Sequence, residues 1–214
     1  MSLVKHAVIA AAGLGSRLGL GRPKCLLEIN GVTLLERQLN LLRDVPDVRI
    51  VVGFEADDVM RAARKIRPDA IFVRNAAFRS TTTLVSYAMG AAGLAEPCLF
   101  MDADIVFSEE SFQDFLNACG ESGLLIAITP AKTLDAVYVH LDTQHRITKF
   151  SRTERSEWEW ANMCWLPPRF CETGAGAVFE RLSSELPLAA KSIISFEIDT
   201  PEDHKHALEH CEFL

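Results

Sequence analysis

The chain has 214 residues, a length that suits one large domain with a sizeable buried core. Its net charge of −7 disfavours nucleic acid as a partner, because proteins that bind nucleic acids usually carry a basic face. Apolar runs such as 124–128 are too short to cross a bilayer, and the first residues do not show the pattern of a signal peptide. We therefore expect a cytoplasmic globular protein without membrane insertion.

The first predicted strand, 5–11, leads into a glycine-rich loop that ends at Lys24. Gly13 and Gly15 let the backbone turn sharply and aim successive N–H groups at an anion. Arg17 and Lys24 add mobile positive charge to the same stretch. The loop therefore indicates a triphosphate site, and its predicted nucleotide contacts are Ala11, Ala12, Gly13, Leu14, Gly15 and Ser16.

Other glycine motifs fit this stretch less well. A dinucleotide-binding loop requires an acidic residue about 20 positions further on, at the end of a second strand. Here that region is 34–39, which has the apolar spacing of a helix. A P-loop requires Ser or Thr after its lysine, whereas Cys25 follows Lys24. An ordinary glycine-rich turn remains the structural alternative.

Strands and helices alternate through the first half of the chain. A helix is predicted at 34–43, a strand at 49–53, a helix from Asp57 to the residue before Pro68, and a strand at 70–74. This spacing predicts a mostly parallel sheet with helices on both faces. The expected fold class is α/β, a single-domain Rossmann-like α/β/α sandwich with a mixed sheet.

A polar run, 79–83, precedes the predicted helix 84–94. Its hydroxyl groups can cap that helix, or they can face a ligand at the same edge of the sheet. Both interpretations stay open from the residues alone.

Acidic residues follow two predicted strands. Asp102 and Asp104 come where the buried strand 98–101 ends, two positions apart and so on one side of an extended chain. Neighbouring carboxylates repel unless a cation compensates them, and Mg²⁺ is typically held by one or two carboxylates together with substrate phosphates. Asp199 similarly ends the predicted last strand, 193–199. The alternative for each acid is an ordinary strand-end turn or helix cap.

The stretch 130–172 is expected to form a small insertion on the substrate side, beginning with a hairpin at 136–150. If Glu157 to Trp160 is extended, Trp158 and Trp160 share one face. That face could hold a quaternary ammonium by cation–π attraction, while the carboxylate of Glu157 could hold a primary amine. The tryptophans could instead lie in the core or in a subunit interface.

The six cysteines show no metal-binding spacing and are expected to be free thiols, mostly in the core. Lys24, which precedes Cys25 in the chain, could activate the thiol of Cys25.

The strand, the Gly-x-Gly-x-Arg loop and the Pro-Lys pair together resemble the signature of the pyrophosphorylase-like nucleotidyltransferases. The Ile-Asp-Thr-Pro-Glu-Asp run at 198–203 is similar to the end of those enzymes, most closely of the choline-phosphate cytidylyltransferase branch. The resemblance implies that Arg17 and Lys24 neutralise the triphosphate and that Asp104 and Asp199 hold Mg²⁺. It also places a further group at the nucleotide, namely Ser80, Thr82, Thr83 and Asp102.

The chain departs from this branch where paired asparagines often precede the third helix, since Thr82 and Thr83 stand there instead. It also lacks the Gly-Gly-x-Ser loop of the molybdopterin guanylyltransferases.

The resemblance implies transfer of a nucleoside monophosphate, with CTP the favoured donor, to a phosphorylated or phosphonate small molecule such as phosphocholine. A sugar-1-phosphate acceptor, a non-catalytic nucleotide sensor and a dinucleotide-dependent reductase are the alternatives, and a homodimer is possible. The reductase is disfavoured because the ribose-binding acid is missing.

Overall fold

The structure is a computed structural model that describes residues 4–15, 21–120, 123–133, 135–172 and 176–210. Its strands within these ranges are β1 His6–Ala11, β2 Glu28–Ile29, β3 Val32–Thr33, β4 Asp47–Val52, β5 Ile71–Arg74, β6 Cys98–Asp102, β7 Ile105–Phe107, β8 Leu125–Pro130, β9 Tyr138–Leu141, β10 Arg146–Ser151, β11 Trp158–Leu166, β12 Leu188–Ser192 and β13 Ser195–Glu197. The helices are α1 Leu34–Leu41, α2 Ala56–Ile66, α3 Thr83–Gly90, α4 Glu109–Ala118, α5 Val178–Leu182 and α6 Pro201–His210.

The main sheet has the strand order β5-β4-β1-β6-β11-β8-β12-β10-β9 in the described part of the chain. Strands β5, β4, β1 and β6 are parallel, whereas β11 runs antiparallel to both β6 and β8. The predictions of a mixed sheet and of parallel strands in the first half of the chain are confirmed. Part of the stretch expected to form an insertion, 130–172, lies instead within the main sheet: β11 is a central strand that pairs with β6 and β8, and it also pairs with β9.

Helices cover both faces of this sheet, as predicted. Alternate residues of β1 enter different cores: Ile9 packs in one with residues of α1, α2 and α4, and Val8 packs in the other with residues of α3 and α5. A strand that is apolar on both faces belongs in the middle of a parallel sheet. Ligands of open α/β folds bind at the carboxyl ends of such strands, so the residues that follow β1 lie where a ligand is expected.

The end of the chain differs from the expectation. The last strand is only Ser195–Glu197 and pairs with β7 outside the main sheet, and β12 was not predicted. The sequence of β12, Leu-Ala-Ala-Lys-Ser, has no β-branched or aromatic residue, so it carries a weak strand signal. Helix α5 begins at Val178, and residues 173–175 before it lie outside the described residues.

None of the helices in the described ranges combines the length and apolarity needed to span a membrane.

Candidate functional site

The loop after β1 and the acids after β6 are neighbours because their strands pair. Ala10 pairs with Asp102, and the backbone N–H of Ala103 donates to the carbonyl of Ala10 at 3.2 Å. The turn after β6 is anchored from below by Gln38 of α1, whose buried side-chain amide donates to the carbonyls of Asp102 at 2.8 Å and Ile105 at 2.9 Å. This anchoring fixes the position of Asp104.

The glycine loop is described as far as Gly15. Gly15 has a φ of +61°, and a Cβ there would lie 2.8 Å from Cγ of Lys24, so both its conformation and the close approach favour glycine. Ala11, Ala12 and Gly13 precede it and line the adjacent cavity, and Leu14 is half-buried in the loop. Two predicted residues, Ser16 and Arg17, lie outside the described residues.

The last acids reach the site because β13 pairs with β7. Glu197 pairs with Ile105, and the N–H of Ile198 donates to the carbonyl of Asp104 at 2.9 Å. Because Ile198 is buried in the apolar cluster on one face, Glu197 and Asp199 project from the other. Three carboxylates therefore converge: one oxygen each of Asp104, Glu197 and Asp199 lies within 4.8 Å of the others.

Thr200 and Asp203 cap the helix that follows Asp199: the hydroxyl of Thr200 accepts from the backbone N–H of Asp203 at 3.1 Å, and the carboxylate of Asp203 accepts from the backbone N–H of Thr200 at 2.8 Å. The carboxylate of Asp199 instead forms an ion pair with Lys24.

Lys24 joins the loop to these acids. Its ammonium lies 3.2 Å from Oδ2 of Asp104 and also contacts Oδ1 of Asp199, a residue 175 positions away in the chain. The structure therefore brings together Lys24, Asp104 and Asp199, which the sequence analysis places in one site.

Glu197 is the residue of this cluster that is not predicted from the sequence, although its spacing offered a signal. It stands two positions before Asp199, so both acids share a side in an extended segment. Its Oε2 accepts a hydrogen bond from the side-chain amide of Asn162 at 3.0 Å. Burial, reinforced by the negative charge of Asp104, raises the pKa of Glu197 to about 7.

Asp102 occupies a different environment, on the inner side of the turn. Burial raises its pKa well above the ordinary value and Asp104 adds to the rise, while a hydrogen bond from Tyr87 opposes it. The phenol of Tyr87 donates to Oδ1 of Asp102 at 2.7 Å. Asp102 still lines the cavity beside the loop, where a nucleotide contact was predicted.

The cluster fits a divalent cation. Carboxylate oxygens are the ligands that Mg²⁺ prefers, and here they come from Asp104, Glu197 and Asp199. Lys24 contributes a positive charge that contacts two of these carboxylates, those of Asp104 and Asp199. Burial is the main cause of the raised pKa of Glu197 and the negative charge of Asp104 adds to it; a divalent ion between these carboxylates would offset their repulsion.

The cavity beside the loop has a volume of about 170 Å³. Thr82 and Thr83 line it as predicted, but Ser80 does not contribute to the described lining; its hydroxyl donates to the carbonyl of Ala77 at 3.2 Å. Thr82 precedes α3 without a side-chain capping bond, so the simple capping interpretation does not hold there. The lining residues not predicted from the sequence include Asn75, Phe78, Thr81 and Ser86.

The prediction that Trp158 and Trp160 form a ligand-binding face is only partly correct. Trp158 and Trp160 do pack on the same apolar cluster, as the alternation predicts. Trp160, however, is only 8% exposed and its indole N–H donates to the carbonyl of Met163 at 3.4 Å, so it is a core residue. Trp158 is half-buried and Glu157 is exposed; neither belongs to the described lining of the cavity.

The cysteines in the described residues are buried free thiols, as expected. Burial, with a smaller effect of Asp104, raises the pKa of Cys25 to about 12. Activation of this thiol by Lys24 is therefore disfavoured, because the thiolate is the reactive form.

Comparison with known proteins identifies this arrangement. Residues 7–162 match the profile of the MobA-like NTP transferase domain. A choline-phosphate cytidylyltransferase of Haemophilus influenzae is 31% identical over 112 residues, which cover 50% of this chain and 47% of that protein. The chain thus spans less than half the length of the known relatives it matches.

Solved structures share the fold. The CTP:phosphocholine cytidylyltransferase LicC of Streptococcus pneumoniae superposes with a TM-score of 0.81 at 17% identity, covering 98% of this chain and 100% of that chain. The inositol-1-phosphate CTP transferase of T. maritima gives 0.77 at 16% identity, with 94% and 91% covered. The Rossmann-like fold expected from the sequence is confirmed. Since the family profile covers well over half of the residues, the chain belongs to the MobA-like NTP transferase domain family.

Proposed function

We propose that this protein transfers CMP from CTP to a small phosphorylated acceptor, such as phosphocholine, and releases pyrophosphate. The observation that carries the proposal is the meeting of Lys24 with Asp104 and Asp199 directly beside the glycine loop. The relatives supply the choice of substrates, because a choline-phosphate cytidylyltransferase and two CTP-using transferases are among the similar proteins.

The reaction needs positioning and charge neutralisation more than a protein nucleophile. An oxygen of the acceptor phosphate attacks the α-phosphorus of CTP, the new oxygen–phosphorus bond forms, and the bond to pyrophosphate breaks. The acceptor is already anionic near neutral pH, so no side chain has to remove a proton from it. Lys24 leaves the acids and follows the negative charge on the α-phosphate, while Arg17 follows the departing pyrophosphate.

Asp104 and Asp199, with Glu197 beside them, are the residues that would hold Mg²⁺. When bound, the ion supplies Lewis acidity and neutralises charge on the phosphates. Loop backbone N–H groups up to Gly15 would bind the triphosphate, and Thr82 and Thr83, which line the same cavity, would contact the nucleoside.

The direct test is release of pyrophosphate from each of the four nucleoside triphosphates with phosphocholine, phosphoethanolamine, aminoethylphosphonate and sugar phosphates. We expect turnover with CTP and one of the phosphorylated amines, and only when a divalent cation is present. Turnover with sugar phosphates alone would show that the acceptor is a sugar phosphate and not a phosphorylated amine. Tight nucleotide binding without turnover of any pair would identify a nucleotide sensor instead.

Asp104→Ala should lower kcat/KM by about a hundredfold or more, because an interaction that stabilises charge in the transition state is lost. Asp44→Ala is the matched control, since Asp44 is an exposed acid whose side chain is 83% accessible. Circular dichroism should show the same secondary structure for both variants. Activity of Asp104→Ala within a few-fold of the native protein would reject its role.

A further inference from the structure

Strand β11 departs from regular pairing in the middle of the sheet. Its register against β8 shifts between Trp160 and Cys164, and Asn162 within this bulge has a φ of +48°. The other non-glycine residues with positive φ in the described ranges lie in turns or before a helix: Asn30, Glu55 and His145. A left-handed residue inside a central strand is unusual and requires a compensating reason.

The bulge has a direct structural consequence at the acid cluster. Bulges re-aim side chains and occur frequently beside active sites. Here the side-chain amide of Asn162 donates to Oε2 of Glu197 at 3.0 Å. Asparagine combines tolerance of the left-handed region with a side-chain donor, and both properties are used at this position.

A second contact ties the bulge to the turn after β6. The hydroxyl of Tyr87, which donates to Asp102 at 2.7 Å, lies 3.5 Å from the carbonyl oxygen of Asn162. The backbone of the bulge therefore lies against the same tyrosine that contacts the first acid of the site.

We propose that Asn162 is a positioning residue: the bulge of β11 holds the carboxylate of Glu197 toward Asp104 and Asp199 and so sets the affinity of the cluster for a divalent cation. This inference rests on the proposed metal-binding role of the cluster. Outer contacts that orient metal ligands commonly change metal affinity ten- to a hundredfold when removed.

The test is Asn162→Gly, which keeps the left-handed backbone accessible and removes the side chain with its amide donor. Binding of Mn²⁺, an oxygen-preferring substitute for Mg²⁺, is measured by electron paramagnetic resonance on the protein without nucleotide. We expect the dissociation constant to rise about tenfold or more. Asn30→Gly, at a left-handed asparagine in the turn between β2 and β3, should leave it unchanged.

A double-mutant cycle shows whether Asn162 acts through Glu197. In a Glu197→Ala background, titrated to millimolar Mn²⁺, the effect of Asn162→Gly should disappear. Unchanged Mn²⁺ affinity in Asn162→Gly, or an equal loss in both backgrounds, would overturn the inference. If the native protein itself binds no Mn²⁺, the failure lies with the proposed metal site. Thermal unfolding of Asn162→Gly within a few degrees of the native protein separates the positioning role from a general loss of stability.

Discussion

Glu197 is a carboxyl group whose surroundings oppose its ionisation. It is removed from water and lies beside Asp104, and these conditions raise its pKa from 4.5 to about 7, while Lys24 acts in the opposite direction. The unfolded chain ionises this group at lower pH than the folded protein. Between those two pKa values the folded state binds more protons, so the free energy of unfolding falls as the pH rises.

Replacement of the ionisable group should therefore stabilise the metal-free protein only where the native carboxyl is charged. We expect Glu197→Gln to raise Tm at pH 8 in the presence of a chelator and to give no increase at about pH 3, well below both pKa values, where the carboxyl is protonated in both states. Scanning calorimetry at the two pH values measures the difference. The exposed substitution Glu157→Gln controls for loss of one negative charge, and an equal shift of Tm at both pH values for Glu197→Gln would contradict the assignment.

At the scale of elements, α3 lies so close to the sheet that its last residue is a glycine. A Cβ at Gly90 would lie 2.3 Å from Cγ1 of Val8 in β1 and 2.9 Å from Cγ2 of Val51 in β4. The close contact between Gly90 and the two strands sets the position of α3. Thr83, the first residue of α3, lines the cavity.

Gly90→Ala should lower the free energy of unfolding by about 1–3 kcal/mol, because the added methyl group has no space. It should also weaken nucleotide binding by displacing Thr83. Gly123→Ala is the control, since a Cβ there meets no atom within 4 Å. Urea unfolding compares the two variants, and native stability of Gly90→Ala would show that the helix can move away from β1 at little cost.

The elements that the sequence predicts correctly are those with one clear signal. Strand β1 is apolar from Ala7 to Ala11, and α1 is capped by Thr33, whose hydroxyl accepts from the N–H of Glu36 at 3.1 Å. Strand β11 lies in the stretch that the sequence predicts to be an insertion. Asn162 interrupts the apolar run of this strand at the bulge, so a local pattern does not reveal that the segment lies at the centre of the sheet.

For the whole molecule, the site depends on contacts between distant parts of the chain. Asp104 and Asp199 could be predicted because each follows a predicted strand and because the resemblance implies a metal ligand at both positions. Glu197 offered only its spacing from Asp199 as a signal, because its place in the cluster depends on the pairing of β13 with β7 and on the contact with Asn162. Pairings between distant segments leave little trace in a single sequence.

The arrangement also predicts what a bound nucleotide must change. Lys24 now contacts Asp104 and Asp199, the two acids assigned to the metal ion. The ammonium and the ion compete for the same carboxylate oxygens, so binding of CTP with Mg²⁺ should transfer Lys24 from the acids to the phosphates.

A crystal structure with a non-hydrolysable CTP analogue and Mg²⁺ tests this most directly. We expect one ion at about 2.0–2.1 Å from oxygens of Asp104, Asp199 and the α-phosphate, with Lys24 bound to a phosphate oxygen. A nucleotide bound away from the glycine loop, or Lys24 still held between the two acids with the ion elsewhere, would contradict it.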